Sequence, residues 1–231
     1  MSGELDMALA LLRTENGLAA DKRARVRLLD YMALLEAWRD ALGLVSGGDK
    51  MFLERRHVAD ALSLAPYVAR QAARGNGLLD IGSGGGLPAI PIKCVLPELP
   101  CTLVERSARK VGFLHRVAAQ LGFSDVVILH GSFPDVMGAI TASVITARAV
   151  ERPQRLGPEI LKRMPEEGVF LCQSDPRKWR MPGMFHVEHI TDIWKQKGLR
   201  RGTLSRITHK KTENVPRGTV SRPPTRIDTV L

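Results

Sequence analysis

The sequence predicts one α/β domain with a mostly parallel sheet, preceded by a helical N-terminal segment. Two observations support this fold class. Apolar residues recur at helical spacing as far as residue 72, and from Gly77 onward short apolar runs alternate with stretches of helix length. Such alternation indicates βαβ units and therefore parallel strands. The length of 231 residues suits a single domain of this kind with a modest extension.

The N-terminal segment is assigned to residues 1–75. From Leu5 to Leu42 the apolar spacing predicts two amphipathic helices, and Gly43 offers a stop. A third helix is expected from Lys50 to Ala72, and Pro66 is expected to bend or split it.

The main domain is assigned to residues 76–208. Two late apolar runs, Phe185 to Ile193 and Thr203 to Ile207, have no clear helix between them and predict an antiparallel pair at one sheet edge. Residues 209–231 are basic, Pro-rich and poor in large apolar groups, so a disordered tail is expected there. The five parallel strands are predicted at 78–81, 101–104, 126–129, 144–146 and 169–172.

The charge of the chain favours a polyanionic partner. The formal net charge is +10 and the pI is about 10.0, and basic surfaces gain affinity by displacing counterions from phosphates. From Lys195 to the end there are ten basic residues and two acidic ones. Nucleic acid is therefore the first expectation for the partner, and an anionic membrane surface is the second.

The cysteines and the N-terminus both point to the cytoplasm. Cys94, Cys101 and Cys172 form an odd, widely spaced set without a CxxC pair, which argues against a disulfide framework and a zinc site. Reduced, mostly buried thiols are expected. Residues 1–21 lack the layout of a signal peptide, and no apolar run is long enough to span a membrane.

The strongest local motif is LLDIGSGGGLP, residues 78–88, in which a buried strand ends in Asp80 and runs into Gly82, Gly84 and Gly86. Glycine lets the backbone approach a ligand closely. Pro88 suits the first turn of a following helix, whose N-terminal N–H groups favour an electron-rich ligand group. This motif predicts a ligand in the crevice above the strand ends.

The second strand ends in Glu105, about twenty residues later, where a carboxylate can accept hydrogen bonds from two ribose hydroxyls. A glycine loop with a ribose acid indicates an adenosine-containing cofactor. Nicotinamide-binding loops have glycine at the sixth position of G-x-G-x-x-G, but Leu87 occupies that position here. The pattern with Asp80 before it favours S-adenosylmethionine.

Four segments resemble the RsmG family, also called glucose-inhibited division protein B. They are RHVADAL (56–62), LLDIGSGGGLPAIPI (78–92), ERSARKVGFLHRVAAQLG (105–122) and VITARAV (144–150). The resemblance covers about residues 30–171. It implies a Rossmann-like class I S-adenosylmethionine-dependent methyltransferase sheet and methylation of guanine N7 in 16S ribosomal RNA of the small subunit.

The resemblance also implies functional residues. Cofactor contacts are expected from Gly82 and Leu87, from Phe133 and Pro134 after the third strand, and from Arg148 after the fourth. The planar cation of Arg148 can orient either the cofactor or an RNA phosphate. RNA-binding candidates are His57, Arg148 and Arg152. Because guanine N7 already carries a lone pair, His57 is not needed as a base, and no catalytic residue is assigned.

The chain departs from the family pattern at two places. Gly43-Leu44-Val45 stands where the family usually has Asn-Leu-Thr, and Cys172-Gln173 stands where it usually has Lys-Gly. Both departures concern the positioning of the substrate.

Two other functions stay open at this point. One is a methyltransferase acting on a small molecule or a protein, and the other is an inactive ribosome-assembly or RNA-binding factor with the same fold. A monomer is expected. The sequence FHVEH, 185–189, is not expected to bind a metal, because His186 and Glu188 share one strand face while His189 points away.

Overall fold

The structure is a computed structural model that describes residues 3–44, 53–73, 75–148, 150–180, 183, 185–200 and 202–210. Two long helices begin the chain, α1 (Gly3–Thr14) and α2 (Lys22–Leu42). The side chain of Asp21 caps α2 by accepting a hydrogen bond from the Ala24 N–H, and α2 ends at Gly43, whose φ is 58°. The two predicted helices and the stop at Gly43 are confirmed.

The predicted third helix is split into three parts. A π-helical segment, Leu53–Ala59, runs into the short α3 (Asp60–Leu62), and α4 (Ala65–Ala72) follows. Pro66 lies in the first turn of α4, where a missing N–H costs no helical hydrogen bond. The split at Pro66 is therefore confirmed, and the start expected at Lys50 lies outside the described residues.

Seven strands form one sheet. They are β1 (Leu78–Ile81), β2 (Cys101–Glu105), β3 (Val126–His130), β4 (Val144–Ala147), β5 (Val169–Cys172), β6 (Phe185–Ile190) and β7 (Leu204–His209). Their order is β3-β2-β1-β4-β5-β7-β6. Strands β1 to β5 are parallel, while β7 runs antiparallel to both β5 and β6. The parallel sheet and the antiparallel closing pair are both confirmed.

The strand periodicity divides the core into two layers, because alternate residues of a strand face opposite sides of the sheet. One layer packs against α1 to α4, α5 (Ala89–Val95) and α6 (Ala108–Leu121). The other packs against α7 (Pro153–Arg163) and a 3₁₀ turn at Pro176–Trp179. The carboxyl ends of β1 to β4 lie between these layers.

The end of the sheet departs from expectation in two details. A four-residue helix, α8 (Ile193–Gln196), connects β6 to β7, where no helix was predicted. It is started by Asp192, whose carboxylate accepts from the Lys195 N–H. Strand β7 also includes His209, the first residue of the predicted tail. Lys210 is also described, and residues 211–231 of that tail lie outside the described residues.

All three cysteines are free and buried, as expected. Burial raises the pKa of Cys101 to about 12 and also raises the pKa of Cys94 and Cys172. The neutral thiol is therefore favoured, and these side chains behave as small apolar groups. Within the described ranges, no helix has the length and apolarity needed to cross a membrane.

Candidate active site

A cavity of about 850 Å³ opens at the carboxyl ends of β1 to β4. In a parallel sheet this is the edge at which ligands bind, because the strand order reverses there and leaves a crevice. Seven of the eight predicted cofactor residues line it, and so do all three RNA-binding candidates. The residues that line the cavity include Leu44, His57, Gly82, Gly84, Leu87, Glu105, Phe133, Pro134, Arg148, Arg152 and Arg155.

The glycine loop after β1 requires glycine at two positions for steric reasons. Gly82 has φ 73°, and a Cβ placed there would lie 2.9 Å from Cγ1 of Val150. Gly86 has φ 91°, and its Cβ would lie 2.5 Å from Cγ1 of Ile90. Both φ values belong to the region that side-chain-bearing residues avoid. The loop is therefore a tight cradle that brings backbone close to the cavity.

Glu105 lies at the end of β2 and is 6% exposed. Its Oε2 accepts a hydrogen bond of 2.8 Å from the Gly84 N–H, and its Oε1 accepts one of 2.8 Å from the Ser107 N–H. These two bonds fix the plane of the carboxylate against the glycine loop. Each oxygen has a second lone pair, so the carboxylate can still accept hydrogen bonds from two ligand hydroxyls.

Asp80 is the predicted cofactor residue that does not line the cavity. Its side chain is 1% exposed beneath the glycine loop, and its Oδ1 accepts a 2.7 Å hydrogen bond from Oγ1 of Thr146 on β4. Oδ2 has no hydrogen-bond partner among the described residues. Burial raises the pKa of Asp80 to about 7, although the hydrogen bond from Thr146 opposes the rise. Asp80 therefore joins β1 to β4 under the loop.

Tyr31 of α2 supports the glycine loop from the other side, a role that was not predicted from the sequence. The phenol is fully buried and donates a 2.8 Å hydrogen bond to the carbonyl of Gly85. Burial raises the pKa of Tyr31 well above its usual range, which favours this protonated donor. The sequence signal for this role is a tyrosine between Leu28 and Leu35 on the apolar face of α2. A buried tyrosine hydroxyl usually has a hydrogen-bond partner.

The loop after β3 brings an aromatic side chain to the cavity. Phe133 lines it while being 7% exposed, and Pro134 follows it along the wall. Gly131 precedes them with φ 145°, and a Cβ there would lie 2.1 Å from Cγ1 of Val136. Phe133 and Pro134 give this wall apolar surface, which suits one face of a planar ring.

Arg148 is held by residues of the N-terminal segment. Its Nη2 donates to Nδ1 of His57 at 2.9 Å, and its Nη1 lies 3.5 Å from Oδ2 of Asp60. Nε2 of Gln173 donates to the same Asp60 oxygen at 3.1 Å. The RHVADAL segment, the end of β4 and the end of β5 therefore meet here. Gln173 belongs to the Cys172-Gln173 pair, which departs from the expected Lys-Gly pattern, and its amide contacts the Asp60 carboxylate.

Basic residues line the mouth of the cavity on both sides, next to the acidic Asp135, Glu151 and Glu159. Arg106 and Lys110 line it near α6, while Arg152 and Arg155 line it near α7. Arg106 pairs with Glu151 at 2.8 Å across the opening. Arg152 is the residue before α7 and adopts a left-handed φ of 58°, which is uncommon for a residue with a side chain and is often found at functional sites.

The FHVEH segment forms part of β6. His189 contacts Oγ of Ser205 through its Nδ1 at 3.0 Å, while Glu188 lies 3.5 Å from Nη1 of Arg206. In the described part of the chain, no group of three histidine, cysteine or acidic side chains is arranged to hold a metal ion.

Comparisons with known proteins agree with this geometry. A ribosomal RNA small subunit methyltransferase G of Stutzerimonas stutzeri is 30% identical over 201 residues, covering 83% of this chain and 91% of the relative. The protein of the same name from Sorangium cellulosum is 37% identical over 166 residues, covering 70% and 68%. A mutant of MtNAS solved in complex with S-adenosylmethionine shares the fold, with TM-score 0.54, 15% identity and coverage of 89% and 83%.

The model of one family matches residues 25–173, which include most of helix α2, the glycine loop, Glu105 and Arg148. That family is described as rRNA small subunit methyltransferase G, or GidB. The chain therefore belongs to the GidB family of rRNA small subunit methyltransferases.

Proposed function

We propose that this protein transfers the methyl group of S-adenosylmethionine to N7 of a guanine in 16S ribosomal RNA of the small subunit. The observation that carries the proposal is the single cavity where the glycine loop, Glu105, Phe133 and Arg148 meet, in a chain of the GidB family. The same cavity is bordered by basic residues on both sides of its mouth.

The residues present fit the cofactor. The glycine cradle leaves room for a ligand where a Cβ would collide with its neighbours. Glu105 would hold the two ribose hydroxyls, and Phe133 with Pro134 would pack along the adenine ring. When bound, the cofactor supplies an electrophilic methyl group on a positively charged sulfonium. Asp80 acts indirectly in this arrangement, because it fixes the strand end beneath the loop.

Methyl transfer to guanine N7 requires that the methyl donor and the base are correctly positioned, and it requires no proton transfer. Guanine N7 has a lone pair in the plane of the base, so no side chain has to remove a proton or act as a nucleophile. The contribution of the chain is to hold the methyl donor and N7 in line and to surround them with fixed dipoles. His57 accordingly orients the guanidinium of Arg148 through the 2.9 Å contact, and Arg148 donates to an anionic group of the cofactor or the RNA.

The rim residues would bind the RNA backbone around the target nucleotide. Arg152 and Arg155 lie on the α7 side and Lys110 lies on the α6 side, so phosphates on both flanks of the target guanine can be neutralised. We propose that the enzyme acts as a monomer. We place the enzyme in the cytoplasm because its substrate is the ribosome.

The test is a methylation assay with a nucleoside readout. Small ribosomal subunits lacking the modification are incubated with labelled S-adenosylmethionine and the purified protein, the rRNA is digested, and labelled nucleosides are identified by mass spectrometry. Gly82→Arg is the control, since an arginine side chain at that position would fill the cradle. Labelled 7-methylguanosine with the native protein and none with the variant is the expected result.

Other outcomes would point to the rival functions. Cofactor binding without any labelled nucleoside would overturn the guanine-N7 proposal in favour of another methyl acceptor. The absence of cofactor binding by calorimetry would favour an RNA-binding assembly factor that has the fold but not the activity.

A further inference from the structure

Helices α2 and α6 lie side by side in opposite directions, and three arginine contacts mark their shared edge. Nη2 of Arg109 donates to the carbonyl of Ala41 at 2.7 Å. The guanidinium of Arg116 lies 5.1 Å from the centre of the Trp38 ring. At the far end, the guanidinium of Arg27 lies 5.2 Å from the centre of the Phe123 ring. The two helices are antiparallel, so the start of α6 lies beside the end of α2 and the end of α6 lies beside the start of α2. The three arginines are therefore arranged in one line along the helix pair.

We call this line the α2–α6 seam and define it by Arg27, Arg109, Lys110 and Arg116. Its length is about 20 Å from residue 109 to residue 123, at the ~1.5 Å rise of a helix. One end lies at the active site, because Lys110 lines the main cavity and donates to the carbonyl of Gly43 at 3.5 Å. The other end opens on a surface groove of about 320 Å³ lined by Lys22, Arg23, Val26 and Arg27.

The seam is not neutralised by the protein itself. Within the described ranges, none of its four cations forms an ion pair with a carboxylate, whereas Arg25 pairs with Asp6 and Arg177 pairs with Asp175. No acidic residue occurs from residue 106 to residue 124. The acids of α2 are Asp30, Glu36 and Asp40, and the last of these is paired with Arg39. A positive potential along the seam is the consequence.

Two of the cations are also held in place. A guanidinium against an aromatic ring gains a cation–π interaction and loses rotamer freedom before any ligand arrives. Arg116 on Trp38 and Arg27 on Phe123 are both of this kind. Such residues bind phosphate at a smaller entropic cost than free lysines, and their N–H groups remain donors.

We propose that the α2–α6 seam binds the phosphodiester backbone of the RNA substrate, from Lys110 at the cavity outward to Arg116 and Arg27, which lie away from the methylated nucleotide. This inference rests on the proposed function and extends it from the cavity to a second surface. A line of cations about 20 Å long, at the helix rise used above, contacts several successive phosphates. The enzyme therefore takes a long or folded RNA as its substrate, and the seam acts on substrate affinity and not on the methyl-transfer step.

The experiment measures RNA binding as a function of salt. Arg27→Gln/Arg116→Gln removes two seam cations that lie outside the cavity lining. Lys178→Gln/Lys197→Gln is the matched control, because both lysines are exposed and lie outside the seam. Arg27→Lys/Arg116→Lys retains the charge and loses the planar group. Dissociation constants of each protein for full-length 16S rRNA are determined between 50 and 300 mM KCl, and thermal melting of each variant checks folding.

For the Gln variant we expect the slope of log Kd against log salt to fall by about 2, one unit for each lost phosphate contact. Its Kd at low salt should rise on the order of tenfold, and its KM for the RNA should rise while kcat is unchanged. The control should match the native protein, and the Lys variant should keep most of the slope.

The two ways of failing are distinguishable. In the first, the native protein binds and methylates the RNA while the salt slope of the Gln variant equals that of the control. This result would overturn RNA binding by the seam and leave the proposed function standing. A native protein that neither binds nor methylates the RNA would overturn the proposed function and the seam together.

Discussion

The hydroxyl of Tyr31 donates a 2.8 Å hydrogen bond to the carbonyl oxygen of Gly85. This bond joins α2 to the glycine loop across 54 positions of the chain. Leu35 adds a steric contact, since a Cβ on Gly85 would lie 3.0 Å from its Cδ2. The N-terminal helical segment thereby supports the glycine loop that lines the cavity, and we expect changes within it to affect the cofactor site.

Tyr31→Phe should lower both stability and cofactor affinity. The variant leaves the Gly85 carbonyl buried without its donor, which costs about 1–3 kcal/mol of unfolding free energy. The loop loses its anchor, so the Kd for S-adenosylmethionine should rise several-fold. Urea denaturation and calorimetric titration measure the two quantities.

Tyr67→Phe is the matched control for that prediction. Tyr67 donates a 2.7 Å hydrogen bond to Oδ2 of Asp192, far from the glycine loop. Its loss should reduce stability and leave the cofactor Kd unchanged. Equal effects of the two variants on the Kd would mean that Tyr31 has no specific connection with the cofactor site.

The parallel part of the fold was predictable because its strands are short, mostly apolar runs bounded by turns. The limits of β1 and β5 agree with the predicted ones, and both strands are buried throughout. The helix α8 escaped prediction because four residues are too few for a periodic pattern. The π-helical segment 53–59 was missed for a different reason, since its departure from α-helical geometry leaves no simple signal in residue spacing.

The site was predictable where its residues lie within one motif and less so where they come together from distant segments. The glycine loop and Glu105 are recognisable because their spacing follows from one βαβ unit. The contact of Gln173 with Asp60 spans 113 positions, and only packing of the N-terminal segment on the sheet brings the two together. Asp80 lies one residue before the end of β1, and the direction of its side chain depends on the partner that Thr146 provides.

Gly82→Ala should abolish most cofactor binding. The new methyl group would lie 2.9 Å from Cγ1 of Val150, and the φ of 73° is unfavourable for alanine. The conformational cost alone is about 1–2 kcal/mol, so either the loop shifts or the variant is less stable. We expect the Kd for S-adenosylmethionine to rise at least ~10-fold, because about 1.4 kcal/mol corresponds to a factor of ten.

Gly112→Ala is the control for Gly82→Ala. Gly112 lies inside α6, and a Cβ there meets nothing within 4 Å. Alanine in a helix interior is favoured over glycine by about 0.5–1 kcal/mol, so this variant should be slightly more stable and should bind the cofactor normally. Loss of cofactor binding by both variants would show that the effect is not specific to the cradle.

Glu105→Gln should weaken cofactor binding, because the contact with the ribose is affected. The carboxylate accepts from two N–H groups, those of Gly84 and Ser107, whereas a Gln side chain has one acceptor oxygen and an NH₂ group that would face one of these donors. Hydrogen bonds to a charged acceptor contribute about 1.5–3 kcal/mol, so the Kd should rise roughly 10- to 150-fold. Glu98→Gln, at an exposed position, is the control and should bind normally.

Asp80→Asn should change how stability depends on pH. Burial raises the pKa of Asp80 from its ordinary 3.8 to about 7. The native state then keeps a proton that the unfolded chain loses near pH 4, so this group makes the native protein less stable as pH rises from about 4 to 7. Above pH 7 both states are ionised, and the effect is constant. Asn keeps an acceptor for Thr146 and has no charge to desolvate.

The difference in unfolding free energy, variant minus native, should therefore rise between pH 5 and pH 7 and then become level. The slope should be up to about 1 kcal/mol per pH unit, since one unit of pKa shift corresponds to about 1.4 kcal/mol. Urea denaturation at pH 5, 6, 7 and 8 without cofactor measures it. Thr146→Val removes the hydrogen bond that lowers the pKa of Asp80. In that variant the decline in unfolding free energy with rising pH should therefore extend above pH 7. Parallel profiles for native protein and Asp80→Asn would mean that Asp80 is ionised in the folded state throughout this range.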